Sequence, residues 1–345
     1  MKKVFAGVIA VVMLFTFMFA GASLAEEKKI SVVTTIFPVY DWVRETVGDN
    51  ENVEITMLLD DGVDLHSYQP TAQDIMKVAT CDVFVYVGGE SDEWVEDALE
   101  EAVNPDMVVV NLVEALGDDI KMEEIVEGME HEHDEDEEHD HDEEEHEDED
   151  DEDEDEEHDH EHEHEDEADE HVWLSLRNAR KLVNALSVAL GEADPANAER
   201  YAANADAYIE KLDALDAGYA AAREAADFDT VLFGDRFPFR YLADDYGLNY
   251  YAAFSGCSAE SEASFETIVF LAGKVDALGL STVLTIEGDN HRIAETIIAN
   301  TRAKDAKVLA LDSMQATTGE DVKNGATYLG VMEANLEVLR QALTK

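Results

Sequence analysis

The sequence predicts an α/β fold of two βα lobes with parallel sheets, joined by a long rigid helix. Two observations support this prediction. Short apolar runs alternate with helical stretches in residues 30–112, and the same alternation returns in residues 230–343. Between these regions lies a helical pattern of about 30 residues, which is long for a globular protein. A chain of 345 residues can form two lobes that each bury a core.

The first lobe is expected over residues 26–174. Its strands are predicted at 30–37, 53–59, 82–87 and 107–112, with helices at 38–47, at 71–80 and around Trp94. Thr71 and Asp74 have the spacing of a capping box, which fixes the start of the second helix. The nearly continuous apolar run at 82–87 is typical of a strand that is buried on both faces.

Residues 175–226 form the predicted helical region. A first helix ends near Leu190, and Asp194-Pro195 starts the second, longer one. One apolar stripe recurs along this second helix at three-, four- and seven-residue spacings, formed by Tyr201, Tyr208, Leu212, Leu215 and Tyr219. The helix is therefore interpreted as a rigid link between the lobes.

The second lobe is expected over residues 227–345. Its strands are predicted at 230–233, 249–254, 282–286 and 308–311, and its helices at 238–246, 265–278, 290–303 and 322–343. The order of elements repeats that of the first lobe, although no sequence repeat is visible. Ligands of such sheets bind beyond the carboxyl ends of the strands, so a site is expected in the cleft between the lobes.

The N-terminal residues 1–25 have the pattern of a signal peptide. Lys2 and Lys3 precede an apolar run over 4–20, and Ser23 and Ala25 supply the small residues of a cleavage site. An uncleaved membrane anchor is the alternative. Either way the protein is expected to be exported, to the periplasm or to an extracellular position associated with the membrane.

Residues 130–170 are a low-complexity run of 31 acidic residues, nine His and one Ala. Without apolar residues to bury, this run is expected to be disordered. Paired imidazoles among carboxylates favour weak, exchangeable binding of divalent cations, although a solvated acidic linker is the simpler interpretation. The net charge of −60 excludes nucleic acid as a partner.

Candidate ligands for a tighter site follow predicted strands or border the acidic run. His66 and His171 supply imidazoles, while Glu287 and Asp235 supply carboxylates. This donor set suits Zn²⁺ or a similar divalent ion, although each residue taken alone also fits an ordinary surface position. The two cysteines, Cys81 and Cys257, fall in different lobes and are predicted to be unpaired thiols.

Motifs of other chemistry are missing from the sequence. It contains no phosphate-binding loop ending in Lys-Ser/Thr, no Gly-x-Ser-x-Gly and no His-Glu-x-x-His. The sequence therefore predicts a binding protein and no enzyme. A metal-dependent hydrolase and an extracytoplasmic metal buffer or sensor are the competing hypotheses.

Six segments resemble the zinc/manganese substrate-binding proteins of ABC importers, and they occur in the family's order over essentially the whole chain that follows the predicted signal peptide. They are 33–41 (VTTIFPVYD), 62–71 (GVDLHSYQPT), 170–174 (EHVWL), 239–248 (FRYLADDYGL), 293–297 (IAETI) and the closing helix at 328–343. A His/acid-rich insertion before the second ligand is typical of the zinc-specific members. The resemblance implies a monomer that delivers its ion to a membrane permease with a separate ATPase.

The resemblance also implies the ligands. His66 is the first, His171 the second, and Glu287 the carboxylate from the second lobe. The remaining ligand, a His or Glu in the family, falls at Arg236, which cannot ligate a cation. Asp235 is therefore the predicted substitute, with a water molecule, Cys257 or Glu260 as alternatives, and Arg236 is free to pair with a carboxylate at the cleft rim.

Overall fold

The computed structural model describes residues 29–129, 167–258, 262–288 and 290–345. The predicted signal peptide, all nine His of the acidic run and Glu260 lie outside these residues. No helix within the described ranges is both long enough and apolar enough to cross a membrane.

The first lobe contains a four-stranded parallel sheet with the order β2-β1-β3-β4. Its strands are β1 (Ile30–Thr34), β2 (Val53–Met57), β3 (Val83–Tyr86) and β4 (Val108–Asn111), and its helices are α1 (Phe37–Val47), α2 (Ala72–Thr80), α3 (Trp94–Glu100) and α4 (Leu112–Leu116). The predicted capping box of α2 is present: Thr71 and Asp74 each accept a hydrogen bond from the other's backbone N–H.

Two helices connect the lobes, α5 (Leu176–Ala193) and α6 (Ala198–Glu224). The predicted stripe of α6 is buried along its whole length. Near the start of α6, the Tyr201 hydroxyl accepts a hydrogen bond from Asn50 of the first lobe at 2.9 Å. Near its end, the Tyr219 hydroxyl donates to the carbonyl of Met332 at 2.7 Å. The helix thus contacts elements at both ends of the chain.

The second lobe repeats the topology of the first, with a parallel sheet in the order β6-β5-β7-β8. Its strands are β5 (Thr230–Arg236), β6 (Asn249–Phe254), β7 (Thr282–Thr285) and β8 (Lys307–Ala310), and its helices are α7 (Arg240–Tyr246), α8 (Phe265–Leu278), α9 (Arg292–Asn300), α10 (Gly319–Lys323) and α11 (Tyr328–Ala342). The predicted two-lobe α/β class is confirmed.

Two predicted elements of this lobe are wrong in extent. The helix expected over 322–343 is divided into α10 and α11, because the backbone at Gly325 takes a positive φ of 102° that ends the first of them. The strand expected to end at Phe233 continues as β5 to Arg236, with a shift of register against β6 after Phe233. Asp235 and Arg236 therefore belong to the strand.

Candidate metal centre

The loops at the carboxyl ends of the two sheets approach each other, where open α/β sheets bind their ligands. His66 lies in a 3-10 turn, Leu65–Ser67, in the loop that follows β2. Cys257 lies three residues after the end of β6. His171 comes from the segment that returns from the acidic run and leads into α5. These three residues bring donor atoms from three separate parts of the chain to one place.

The segment around His171 is attached to both lobes. Glu170 accepts a hydrogen bond from the backbone N–H of Ser91 in the first lobe at 2.8 Å. In the second lobe, the Tyr241 hydroxyl donates to the carbonyl of Asp169 at 2.8 Å, and Trp173 Nε1 donates to the carbonyl of Ser313 at the same distance. His171 therefore lies at the junction of the lobes, fully buried.

The two imidazole rings approach each other with their Nε2 atoms. Nε2 of His66 lies 3.1 Å from Nε2 of His171. Two nitrogens bound to one tetrahedral Zn²⁺ at its usual bond length would be about 3.3 Å apart. The pair is therefore close to the spacing that a shared zinc ion requires.

Each imidazole is oriented by a partner at its other nitrogen. Nδ1 of His171 lies 2.9 Å from a carboxylate oxygen of Asp169, and Nδ1 of His66 lies 2.8 Å from the Ser91 hydroxyl. A His whose Nδ1–H donates to a carboxylate presents the lone pair of Nε2 to a metal. The contact with Asp169 thus favours the tautomer of His171 in which Nε2 is free to bind, whereas the Ser91 hydroxyl can either donate to Nδ1 of His66 or accept from it.

A second buried carboxylate lies beside His66. One oxygen of Glu170 is 3.6 Å from Nδ1 of His66, and burial raises the pKa of this carboxyl group. Glu170 can occupy this position only because residue 89 is a glycine: a Cβ there would lie 2.4 Å from the carboxylate of Glu170. Glycine, with φ of 86°, is therefore required here for both space and backbone conformation.

His66 is held in its neutral form. Burial lowers the pKa of His66 to about 3, and the neighbouring His171 adds to this effect, against the opposing charge of Asp64. A metal binds the neutral imidazole, so no proton has to leave His66 before binding at ordinary pH.

Cys257 provides a third donor atom. Its Sγ and one ring nitrogen of each imidazole all lie within 4.8 Å of one another. Burial, reinforced by the carboxylate of Glu123, raises the pKa of the Cys257 thiol far above its ordinary value. Both cysteines are free, as the sequence predicts.

The two carboxylates predicted as ligands have other partners. Glu287 accepts hydrogen bonds from the backbone N–H and the hydroxyl of Ser313, at 2.7 and 2.8 Å, and from the N–H of Gln315 at 3.1 Å. Asp235 accepts from the N–H of Arg236 at 2.9 Å and of Ile286 at 3.3 Å. Within the described residues, neither carboxylate joins the cluster formed by the imidazoles and the thiol.

Arg236 forms an ion pair with the first lobe. Its Nη2 donates to a carboxylate oxygen of Asp64 at 2.7 Å, and the charge of Arg236 holds the pKa of Asp64 below its usual range. Asp64 also accepts the backbone N–H of His66 at 3.0 Å. The hypothesis that Arg236 pairs with an acid at the cleft rim is confirmed.

Several residues of the site escaped the sequence analysis. Asp169 and Glu170 were assigned to the disordered acidic run, but both are buried and contact the imidazoles. This corrects the end of that run: residues 167–170 belong to the folded body. Both come directly before His171, and Glu170 also begins the EHVWL segment that resembles the family. Ser91 carried no signal, because a Ser in a loop fits many roles.

A separate cavity of about 470 Å³ lies away from these donors, beside α7 and β6. Glu124, Arg240 and Tyr250 line it, and none of the three metal-binding candidates does.

Comparison with known proteins shows the family of this chain. Residues 32–342 match the model of the family described as ZnuA, zinc-uptake complex component A, periplasmic. The chain belongs to this family.

Among ZnuA relatives, the zinc-binding lipoprotein AdcA of Streptococcus pneumoniae is 33% identical over 315 residues, which cover 91% of this chain and 56% of AdcA. This chain thus spans little more than half of that relative. The high-affinity zinc uptake system protein ZnuA of Bacillus subtilis is 28% identical and matches over 94% of this chain and 90% of its own length.

The fold agrees as well. The crystal structure of the Zn(II)-bound ZnuA-like domain of S. pneumoniae AdcA superposes with a TM-score of 0.66 at 27% identity, covering 91% of this chain and 99% of that domain.

Proposed function

We propose that this protein captures Zn²⁺ outside the cytoplasm and delivers it to the permease of an ABC importer, whose ATPase is a separate chain. The observation that carries the proposal is the pair of Nε2 atoms from His66 and His171, 3.1 Å apart at the junction of the lobes. The protein acts as a monomer that binds and releases, with no catalytic step.

The proposed ligand set begins with His66 and His171. By resemblance to the family, Glu287 is the proposed ligand from the second lobe. The sequence offers Asp235 as the remaining donor, with Cys257 as an alternative. Imidazole nitrogen favours Zn²⁺ over Mn²⁺, which prefers oxygen ligands, so zinc is the proposed cargo and manganese the alternative within the same family.

A location between the lobes supports capture and delivery. An ion that binds groups from both lobes stabilises their closed arrangement, and separating the lobes removes ligands and releases the ion. The Asp64–Arg236 ion pair links the lobes at the same rim. Docking on a permease can therefore change zinc affinity by changing the distance between the lobes.

A metal buffer or sensor is the second candidate function. The nine His and 31 acidic residues of the run at 130–170 favour it, since they offer many weak sites. The two hypotheses differ in where the tightest zinc binds: in the cleft for a transport protein, and in the acidic run for a buffer.

Zinc calorimetry on the full mature chain separates the two. We expect one tight binding event in addition to weaker ones. His66→Ala and His171→Ala should each lower the affinity of the tight event by more than about 100-fold, because losing a ligand costs more than losing a residue that only hydrogen-bonds to a ligand. The matched control is His291→Ala, since His291 lies outside the cluster, at the start of α9. Circular dichroism checks that each variant is folded. A tight event that survives both cleft substitutions would favour the buffer.

A further inference from the structure

We infer that Cys257 is the third protein ligand of the cleft, in the place that the sequence assigns to Asp235, and that its thiolate makes the site selective for Zn²⁺ over Mn²⁺. This inference rests on the proposed function and deepens it, because it names the residue that determines which metal is carried.

The first argument is the position of the Cys257 loop. Strand β6 ends at Phe254, and the chain then passes directly over the second imidazole. A Cβ on Gly256 would lie 3.0 Å from Cε1 and 3.2 Å from Nδ1 of His171. The loop therefore leaves no room for a side chain between its backbone and the ring, and the next residue places Sγ within 4.8 Å of one ring nitrogen of each imidazole.

The second argument is that the loop is fixed to the segment that holds His171. The N–H of Cys257 donates to the carboxylate of Glu123 at 3.1 Å, and the N–H of Glu123 donates to the carbonyl of Glu167 at 2.8 Å. Beside it, the N–H of Asp169 donates to the carbonyl of Lys121 at 2.8 Å. Because Asp169 also orients the His171 ring, the thiol and the imidazole are positioned by the same pair of chain segments.

The third argument is that the expected alternatives are engaged elsewhere. Arg236 occupies the position of the family's ligand, and its charge is balanced by Asp64 at 2.7 Å. The two oxygens of Asp235 accept backbone N–H groups of Arg236 and Ile286. The end of β5 is thus used for an ion pair between the lobes, and the loop after the neighbouring strand β6 supplies the donor.

The chemistry of the resulting set favours zinc. Imidazole nitrogen and thiolate sulfur are both common ligands of Zn²⁺, and three protein ligands leave its fourth position open, whereas Mn²⁺ prefers carboxylates, carbonyls and water. On binding, the S–H bond of Cys257 breaks as the sulfur–metal bond forms, and the proton passes to the adjacent Glu123 carboxylate or to water. Glu287 and water remain as candidates for the fourth position.

Cobalt spectroscopy on the full mature chain tests the inference, because Co²⁺ bound to a thiolate has an intense sulfur-to-metal charge-transfer absorption in the near ultraviolet. The chain has two cysteines and the acidic run has none, so this signal cannot come from the run. We expect the absorption to saturate with the first equivalent of Co²⁺ and to disappear when one equivalent of Zn²⁺ is added.

Three variants assign the signal. Cys257→Ser should abolish the absorption and weaken zinc binding by more than about 10-fold, whereas Cys81→Ala should keep it, since Cys81 is fully buried outside the cluster. Asp235→Asn should keep both the absorption and the zinc affinity. Tight cobalt binding without this absorption, or an absorption that survives in Cys257→Ser, would overturn the assignment of Cys257 and leave the cleft site standing. If the wild-type protein bound neither Co²⁺ nor Zn²⁺ tightly, the proposed function would be contradicted instead.

Selectivity gives a second readout. Replacing the thiol with a carboxylate, in Cys257→Asp, should raise the affinity for Mn²⁺ relative to that for Zn²⁺, measured by competition between the two ions. An unchanged ratio would show that Cys257 does not determine the choice of metal.

Discussion

At the scale of single residues, the site depends on keeping His66 without a proton in a strongly acidic protein. Carboxylates usually raise the pKa of a nearby imidazole. Here burial is the larger effect, and with the neighbouring His171 it lowers the pKa of His66 to about 3. The direction matters: a lowered pKa means that the neutral, metal-binding form persists through mildly acidic conditions.

This shift predicts different pH responses of two classes of zinc site. Between about pH 7 and about pH 5, His66 gains no proton, whereas ordinary imidazoles, with a pKa of about 6.5, become charged. On acidification, zinc bound by the nine His of residues 130–170 should therefore be lost first, while one equivalent stays bound. Equilibrium dialysis with metal analysis across this range measures the stoichiometry. Parallel loss of all zinc would show that the sites are of one class.

The sequence predicted only part of this site. His66 and His171 could be recognised because their neighbours, GVDLHSYQPT and EHVWL, form specific motifs. The partners of Asp235 and Glu287 could not be predicted, because they depend on which backbone N–H groups the folded loops bring near. Cys257 was one of several alternatives, since no local pattern shows that a loop crosses an imidazole from another lobe.

At the scale of elements, the short loop after β6 packs tightly against the site at Gly256. Gly256 is buried against His171, so this loop has no room for a side chain at that residue. A Cβ would also come within 3.1 Å of the carbonyl oxygen of Phe237. Either the ring or the loop must move if Gly256 is replaced.

Gly256→Ala should therefore weaken tight zinc binding by about 10-fold or more, the range expected when the positioning of a ligand is disturbed. The matched control is Gly273→Ala in α8, where no heavy atom lies within 4 Å of the added Cβ. That change should leave zinc binding unchanged and stabilise the helix by roughly 0.5–1 kcal/mol. Zinc calorimetry and urea unfolding measure the two effects. Wild-type zinc affinity in Gly256→Ala would contradict the described contact between loop and ring.

The spacing of apolar residues predicts that a helix is present more reliably than it predicts where the helix begins and ends. Helix α8 was predicted with its observed bounds, and in the structure Ser264 caps its start and Gly279 its end. The break between α10 and α11 was missed, because the helical pattern continues on both sides of Gly325. A single glycine is compatible with either an interrupted or a continuous helix.

At the scale of the whole molecule, two sheets of the same strand order direct the carboxyl ends of their strands at one cleft. The sequence predicted two lobes with parallel sheets, since alternating strands and helices favour parallel pairing through helical crossovers, but it did not predict the order of the strands. The long helix α6 was equally clear from its buried stripe. The composition alone, with nine His in one acidic run, drew attention to residues 130–170, whereas the cleft depends on a few residues far apart in sequence.

Anomalous diffraction at the zinc absorption edge, from crystals of the mature protein grown with one equivalent of Zn²⁺, tests the central claim most directly. We expect one strong peak in the cleft, within about 2.0–2.3 Å of Nε2 of His66, Nε2 of His171 and Sγ of Cys257. A zinc ion bound by both imidazoles but not by the sulfur would support the transport site and contradict the assignment of Cys257 as a ligand. An empty cleft, with the zinc bound elsewhere, would contradict the account that the two lobes of this protein close around its metal.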